Sequence, residues 1–150
     1  MVLNAVDDKL MELLEDSWVN SNTSNTKPAF LKITDVDSKV FDFNKNKAVI
    51  LIQRPVYRNE KNGVGADSKR LRHTVRIDLR VMGKQHEELF VEMYDEIIRI
   101  LDAKIVAPFS GFNELDYEDQ NHTDLSDRSK GLFRIIVPVE CINYCVARGS

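Results

Sequence analysis

Between Arg72 and Val81 apolar and polar side chains alternate. Val75, Ile77, Leu79 and Val81 fall on one side of an extended chain, and Thr74, Arg76, Asp78 and Arg80 on the other, as in a half-buried strand. After Met82 and Gly83 the period changes. Leu89, Phe90, Met93, Ile97, Ile100 and Leu101 recur at threes and fours among Glu87, Glu88, Glu92, Asp95, Glu96 and Arg99, which predicts an amphipathic helix of about five turns. A strand with one apolar face feeding a helix with one apolar stripe makes a two-layer unit, helix on sheet.

The rest of the chain is arranged around that unit. Val6, Leu10, Leu13, Leu14 and Trp18 share a helical face between Asn4 and Val19, with Asp7, Asp8, Glu12, Glu15 and Asp16 turned away, so residues 1–20 read as an N-terminal helix. The polar run Asn20 to Thr26 favours turns, because its side chains compete for backbone hydrogen bonds. It reads as a plain linker rather than a built surface loop, and Lys27-Pro28 forces an extended exit. Ala29 to Val36 and Lys39 to Phe43 are short strand candidates, followed by a turn at 44–47. Ala48 to Ile52 is a continuous apolar run, as in a central strand covered on both faces. Pro55 places the far half of that strand at an edge or a bulge. Residues 58–70 are polar, with Gly63 and Gly65 among charges, and read as a long mobile hairpin loop. Phe112 to Glu118 is another strand candidate, 119–130 a polar loop, and Leu132 to Val146 a long strand in which Pro138 again suggests an edge or a bulge. Strands on either side of a helix give a single α+β domain over 1–150. Its sheet is mainly antiparallel, of four or more strands, with a long helix packed across it and an N-terminal helix.

Composition narrows the function by exclusion. The chain is 43% hydrophobic and 30% charged, with mean hydropathy −0.33, net charge −3 and pI near 5.6, so coating nucleic acid is not its main business. No apolar run is long enough to cross a bilayer, and the acidic, amphipathic start does not read as a signal peptide. Cys141 and Cys145 share a strand face but lie roughly 13 Å apart, too far for a disulfide. They read as reduced, buried thiols.

Chemistry is sparse. His86-Glu87-Glu88 opens like a zinc-protease helix, but the second histidine is missing and position 90 is Phe. Asp35-Val36-Asp37 reads as a charged strand edge rather than a cation site. Asp119 to Asp124 lacks the glycine and terminal glutamate of a calcium loop. His73, His86 and His122 fall on three elements and the cysteines on a fourth, and no flanking signature supports a Cys–His pair. There is no nucleophile elbow, phosphate-binding glycine loop or CxxC. The expectation is a non-enzyme without cofactor or metal.

Charge is distributed unevenly. Arg70, Arg72, Arg76 and Arg80 line the polar side of the organising strand, and Arg58, Lys61 and Lys69 precede them. Glu114, Asp116, Glu118, Asp119, Asp124 and Asp127 come after the long helix with no Lys or Arg among them. Charge runs are usually solvated faces. The functional reading is a dipolar subunit that binds copies of itself head to tail, a heterologous contact that closes into a ring when the rotation fits. The alternative is a small binding module that presents its arginines to nucleic acid or a protein partner, although aromatic residues for base stacking are absent from the stripe.

The layout resembles the tail-terminator and tail-completion (head–tail joining) proteins of tailed viruses of bacteria and archaea. The residues that carry the resemblance are the first helix through Leu13, Leu14 and Trp18, the join of Val75 to Val81 into Glu87 to Leu101, and the closing strand Phe133 to Val139. Trp18 to Thr23 followed by Lys27-Pro28 is also similar to proteins of archaeal proviral regions. The resemblance implies a structural virion protein at the neck end of the tail, assembled in the host cytoplasm. It would form a ring, commonly of six subunits, that caps the tail tube, ends its polymerisation and meets the head connector protein, with DNA only passing through the lumen and no membrane involved. Loop 58–70 would dock on the tube. The acidic segment would pair with a neighbour's Arg72, Arg76 and Arg80, or line the channel.

Overall fold

The computed structural model describes residues 6–32, 48–53, 56–61, 68–106, 114–117 and 121–146, with backbone alone for 56–61, 68–71, 106 and 143–146. The fold is α+β, as the periodicities predict. Two helices, α1 (Val6–Ser17) and α2 (Glu87–Val106), lie on one face of a sheet. Its strands are β1 (Ala29–Lys32), β2 (Ala48–Ile52), β3 (Val56–Lys61), β4 (Ser68–Met82), β5 (Glu114–Asp116), β6 (Thr123–Asp124) and β7 (Leu132–Val146).

The spatial order is β1-β2-β4-β7-β5. β3 follows β2 along the same side of β4, and β6 lies beside β5 along β7. β1 and β2 run parallel, and the other pairs are antiparallel. The spine is the pairing of β4 with β7, in register from Ser68↔Val146 to Met82↔Leu132. Fifteen residues at roughly 3.3 Å each make a ribbon about 50 Å long, and α2 at about 1.5 Å per residue spans only about 30 Å. Core residues on β4 run from Val75 to Val81 and on β7 from Phe133 to Cys141. The other end of the ribbon has β3 beside it.

One sequence expectation is corrected by this ribbon, and one is given its physical form. Of the loop expected at 58–70, residues 58–61 belong to β3 and 68–70 to β4, paired Arg58↔Arg72 to Lys61↔Lys69. Arg58, Asn59, Glu60 and Lys61 follow one another in β3, so a strand paired along its whole length has the composition of a loop. Residues 62–67 lie outside the described residues, as do the strand candidate at 39–43 and the Asp35–Asp37 pair. Pro138 lies inside β7 without a bulge, and on the side away from β4 no strand pairs with it, so the edge its ring requires is a local one. The Arg76 carbonyl accepts from Gln53 N–H at 3.0 Å on the β2 side, so Arg76 and Pro138 form a non-hydrogen-bonded pair and the proline nitrogen points away from β4. It points into the gap between β6, which ends opposite Ile136, and β5, which starts opposite Glu140. No ladder bond is lost there.

The Asn20–Thr26 run is a fastened turn, not a linker. Ser24 and Asn25 take left-handed backbone angles (φ 52° and 56°). The Thr23 hydroxyl accepts from the Trp18 indole at 3.2 Å and donates to the Thr26 carbonyl at 2.6 Å. Glu96 on α2 holds the turn to the helix. Its buried carboxylate accepts from Val19 N–H at 2.7 Å, from the Asn22 amide at 3.1 Å and from Arg99 Nε at 2.6 Å. At the other end of the core, Gly83 (φ 117°) turns β4 into α2, and its N–H donates to the Gly131 carbonyl at 2.8 Å. A Cβ at Gly83 would stand 2.6 Å from His86 Nδ1, so only glycine fits this turn.

Candidate interaction surface

The sheet face away from the helices carries the charged residues that the sequence singles out. Its central acid is Asp78, fully buried on β4. One carboxylate oxygen accepts from Arg134 Nε at 3.0 Å and Arg80 Nε at 3.3 Å; the other accepts from Arg134 Nη2 at 2.8 Å and Arg80 Nη2 at 3.0 Å. The strand register builds this fork, because Arg80 lies directly opposite Arg134 and Asp78 opposite Ile136, two residues along. Two guanidinium groups on one carboxylate leave one unit of positive charge. Hydrogen bonds donated to Asp78 hold the Arg134 guanidinium above its ordinary pKa, against desolvation.

Arg72 is also engaged within the chain. Its Nη1 donates to both oxygens of Glu140 at 3.1 Å. Arg76 is exposed, and no carboxylate pairs with it among the described residues. It lies in a shallow groove of about 370 Å³ that crosses the sheet, with Ile136 and Pro138 beside it, Gln53 at one side, and Asn121 and Thr123 at the other. The side chains of Arg58, Lys61, Lys69 and Arg70 are outside the described residues, although their backbones are paired in the ribbon.

The expected acidic patch is dispersed. Glu114 and Asp116 stand on β5 opposite Ile142 and Glu140. Asp124 on β6 accepts from Ser126 N–H at 2.9 Å, and hydrogen bonds from Ser126 hold its carboxyl below the usual range. Asp127 is lowered chiefly by the Ser129 hydroxyl at 2.6 Å, and accepts from the Lys130 N–H of the turn it caps. Glu118 and Asp119 lie outside the described residues. The structure therefore groups Arg76, Arg80 and Arg134 on one face and sets the described acids of 114–127 at the sheet's β5/β6 margin. Asp78, Glu140 and Arg134, which decide the charge of this face, were missed by sequence reasoning. Arg134 sits in an alternating strand, but its target is visible only once β7 is known to pair with β4.

The remaining candidate chemistry is structural. His73 lies opposite Cys141 across the β4–β7 ladder, both buried. Burial pushes the Cys141 thiol up to about 12 and lowers the His73 imidazole. Both shifts favour the neutral forms, the reverse of a thiolate–imidazolium pair. His122 pins its loop to α2, with Tyr94 donating to Nδ1 at 2.6 Å and Nε2 donating to the Tyr117 carbonyl at 3.0 Å. His86 donates from Nδ1 to the Met82 carbonyl at 2.9 Å. Among the described residues no group of three or more His, Cys, Asp or Glu is placed to hold a metal, and no helix is long and apolar enough to cross a membrane.

No family model matches the sequence, and no curated protein matches it. Among solved structures, the chain is similar to one in the virion of a native gene transfer agent particle, with TM-score 0.64 and 10% identity. The match covers 92% of this chain and 93% of that one. At that identity the likeness is one of fold, and it extends over nearly the whole of both chains.

Proposed function

We propose that this chain is a structural virion protein: the subunit of a ring that caps the tail tube, ends its polymerisation and joins it to the head connector, without enzymatic activity. The observation that carries the reading is the near end-to-end fold correspondence with a chain of a gene transfer agent virion. Fold alone does not fix function; here it agrees with the resemblance carried by the first helix, the strand–helix join and the closing strand. The long ribbon of β4 and β7, flanked by β3, supports the reading too, as an element long enough to reach a tube subunit. The nucleic-acid alternative is weakened by the pairing of Arg72 with Glu140 and of Arg80 and Arg134 with Asp78. A phosphate would have to displace carboxylates already in place.

The ring subunit is tested by adding the purified chain to polymerising tube protein from the same genome and measuring tube lengths by electron microscopy. Shortened tubes with an extra density at one end are expected. Tubes of unchanged length without end density would overturn the reading.

A further inference from the structure

Two surfaces that the fold leaves open complement each other. Along α2, Val91, Ile98 and Ile105 stand seven residues apart, and so do Glu88, Asp95 and Asp102; Ile98 is half-buried, packing partly against the core between its two exposed neighbours. Seven residues are nearly two helical turns, so each trio forms a row with a step of about 10.5 Å. Val91 is 51% exposed and Ile105 38%, and all three acids are exposed. The other surface is the groove on the opposite side of the molecule, with Arg76 as its cation and Ile136 and Pro138 as apolar floor, and with the Arg80–Asp78–Arg134 fork next along the same two strands. Leu125, two residues on from Thr123 and so on the same face of the sheet, is 44% exposed at its margin. Of the four large apolar side chains exposed among the described residues, Val91, Ile105 and Leu125 lie on these two surfaces and only Val19 does not.

We propose that α2 of one copy seats in the outer-face groove of the next, with the Val91–Ile98–Ile105 row on Ile136, Pro138 and Leu125 and with Asp95 against Arg76. The occupant follows from charge. Two α2 helices face to face would oppose acid to acid, whereas α2 on the groove opposes the acid row to a net positive surface. Arg76 and Arg80, four residues apart on one strand, are separated by about 13 Å, comparable with the step of the acid row. Because the two surfaces are on opposite sides of a two-layer molecule, the contact is heterologous and repeats from copy to copy until it closes. The inference deepens the ring reading and rests on it, and it assigns the neighbour's acids to α2 rather than to 114–127.

The test is a charge swap read by light scattering over a concentration series up to the solubility limit. Arg76→Glu and Asp95→Arg should each weaken assembly at least about tenfold. The double variant, which restores an opposite pair at every interface, should return it to within about threefold of wild type. Both positions are exposed and unchanged circular dichroism checks the fold; Val91→Ser, which alters no charge, should weaken assembly about fivefold. If wild type assembles and neither single charge variant changes its mass, this interface is overturned and the ring reading stands. A wild-type chain that stays monomeric throughout overturns the interface as well, and tube capping then decides the functional reading separately. A swap-sensitive oligomer that leaves tubes uncapped supports the interface and overturns the function.

Discussion

Single residues fix this fold where a buried polar group collects several partners. Glu96 is the best example, holding Val19, Asn22 and Arg99 while Arg99 also donates to the Ser17 carbonyl at 2.8 Å. Burial works to raise its pKa, but hydrogen bonds from Arg99, Val19 and Asn22 outweigh it, and the value lies below the ordinary one. A carboxyl with a folded value below its unfolded one contributes fully above the ordinary glutamate value of about 4.3, and loses that contribution as pH falls through the folded value. Glu96→Gln should therefore cost about 1–3 kcal/mol at neutral pH. Its melting temperature should approach that of wild type as both are acidified below about pH 4; a constant gap at all pH values would show that the charge is not what matters. Cys141 gives a second prediction. With its thiol pushed up to about 12 and fully buried, a Cys145→Ser variant should not react with a disulfide reagent at neutral pH until denaturant unfolds it. Prompt native-state reaction would contradict that burial.

At the level of elements, the parts that read well from sequence are those whose side chains report a buried face. β4 from Val75, α2 and β7 from Phe133 to Cys141 are legible because alternation or a stripe of threes and fours marks one side as core. β3 is not, since its ladder with β4 is made by backbone groups that carry no residue signature. The turn after Trp18 fails for a related reason: Asn, Ser and Thr advertise hydrogen bonding without naming the partner, which here is Glu96, far along the chain. Asp78 combines both difficulties, an acid on the polar side of an alternating strand that the pairing of β4 with β7 turns into a fully buried anchor for two arginines. Asp78→Ala should leave two guanidinium groups facing each other across that ladder, at a cost of about 3 kcal/mol in urea unfolding. The low end of the range for broken buried pairs applies because both arginines keep about 30% exposure. A loss below about 0.5 kcal/mol would mean that the fork behaves as a surface pair.

At the level of the whole molecule, the two-layer plan is legible but the free surface is not. The chain carries a stripe of arginines and a run of acids; the β4–β7 register decides which of them are already used. Arg72 and Arg80 are engaged internally, Arg76 is exposed, and the described acids of 114–127 sit at a margin, while on α2 Glu88 and Asp95 are exposed and Asp102, also exposed, accepts from the Tyr117 hydroxyl. These two kinds of charge should respond to salt differently. A contact between exposed groups on separate copies is screened as the Debye length shrinks from about 10 Å at 0.1 M to about 3 Å at 1 M, whereas a buried fork is not. Raising salt across that range should weaken assembly about tenfold and leave the melting temperature of the dilute protein nearly unchanged. Loss of both together would place the salt-sensitive pairs inside the fold, at Asp78 or Glu140. Assembly that strengthens with salt would instead assign the contact to the Val91–Ile98–Ile105 row alone, with Arg76 a bystander, because the apolar term grows as salt withdraws water from exposed surface.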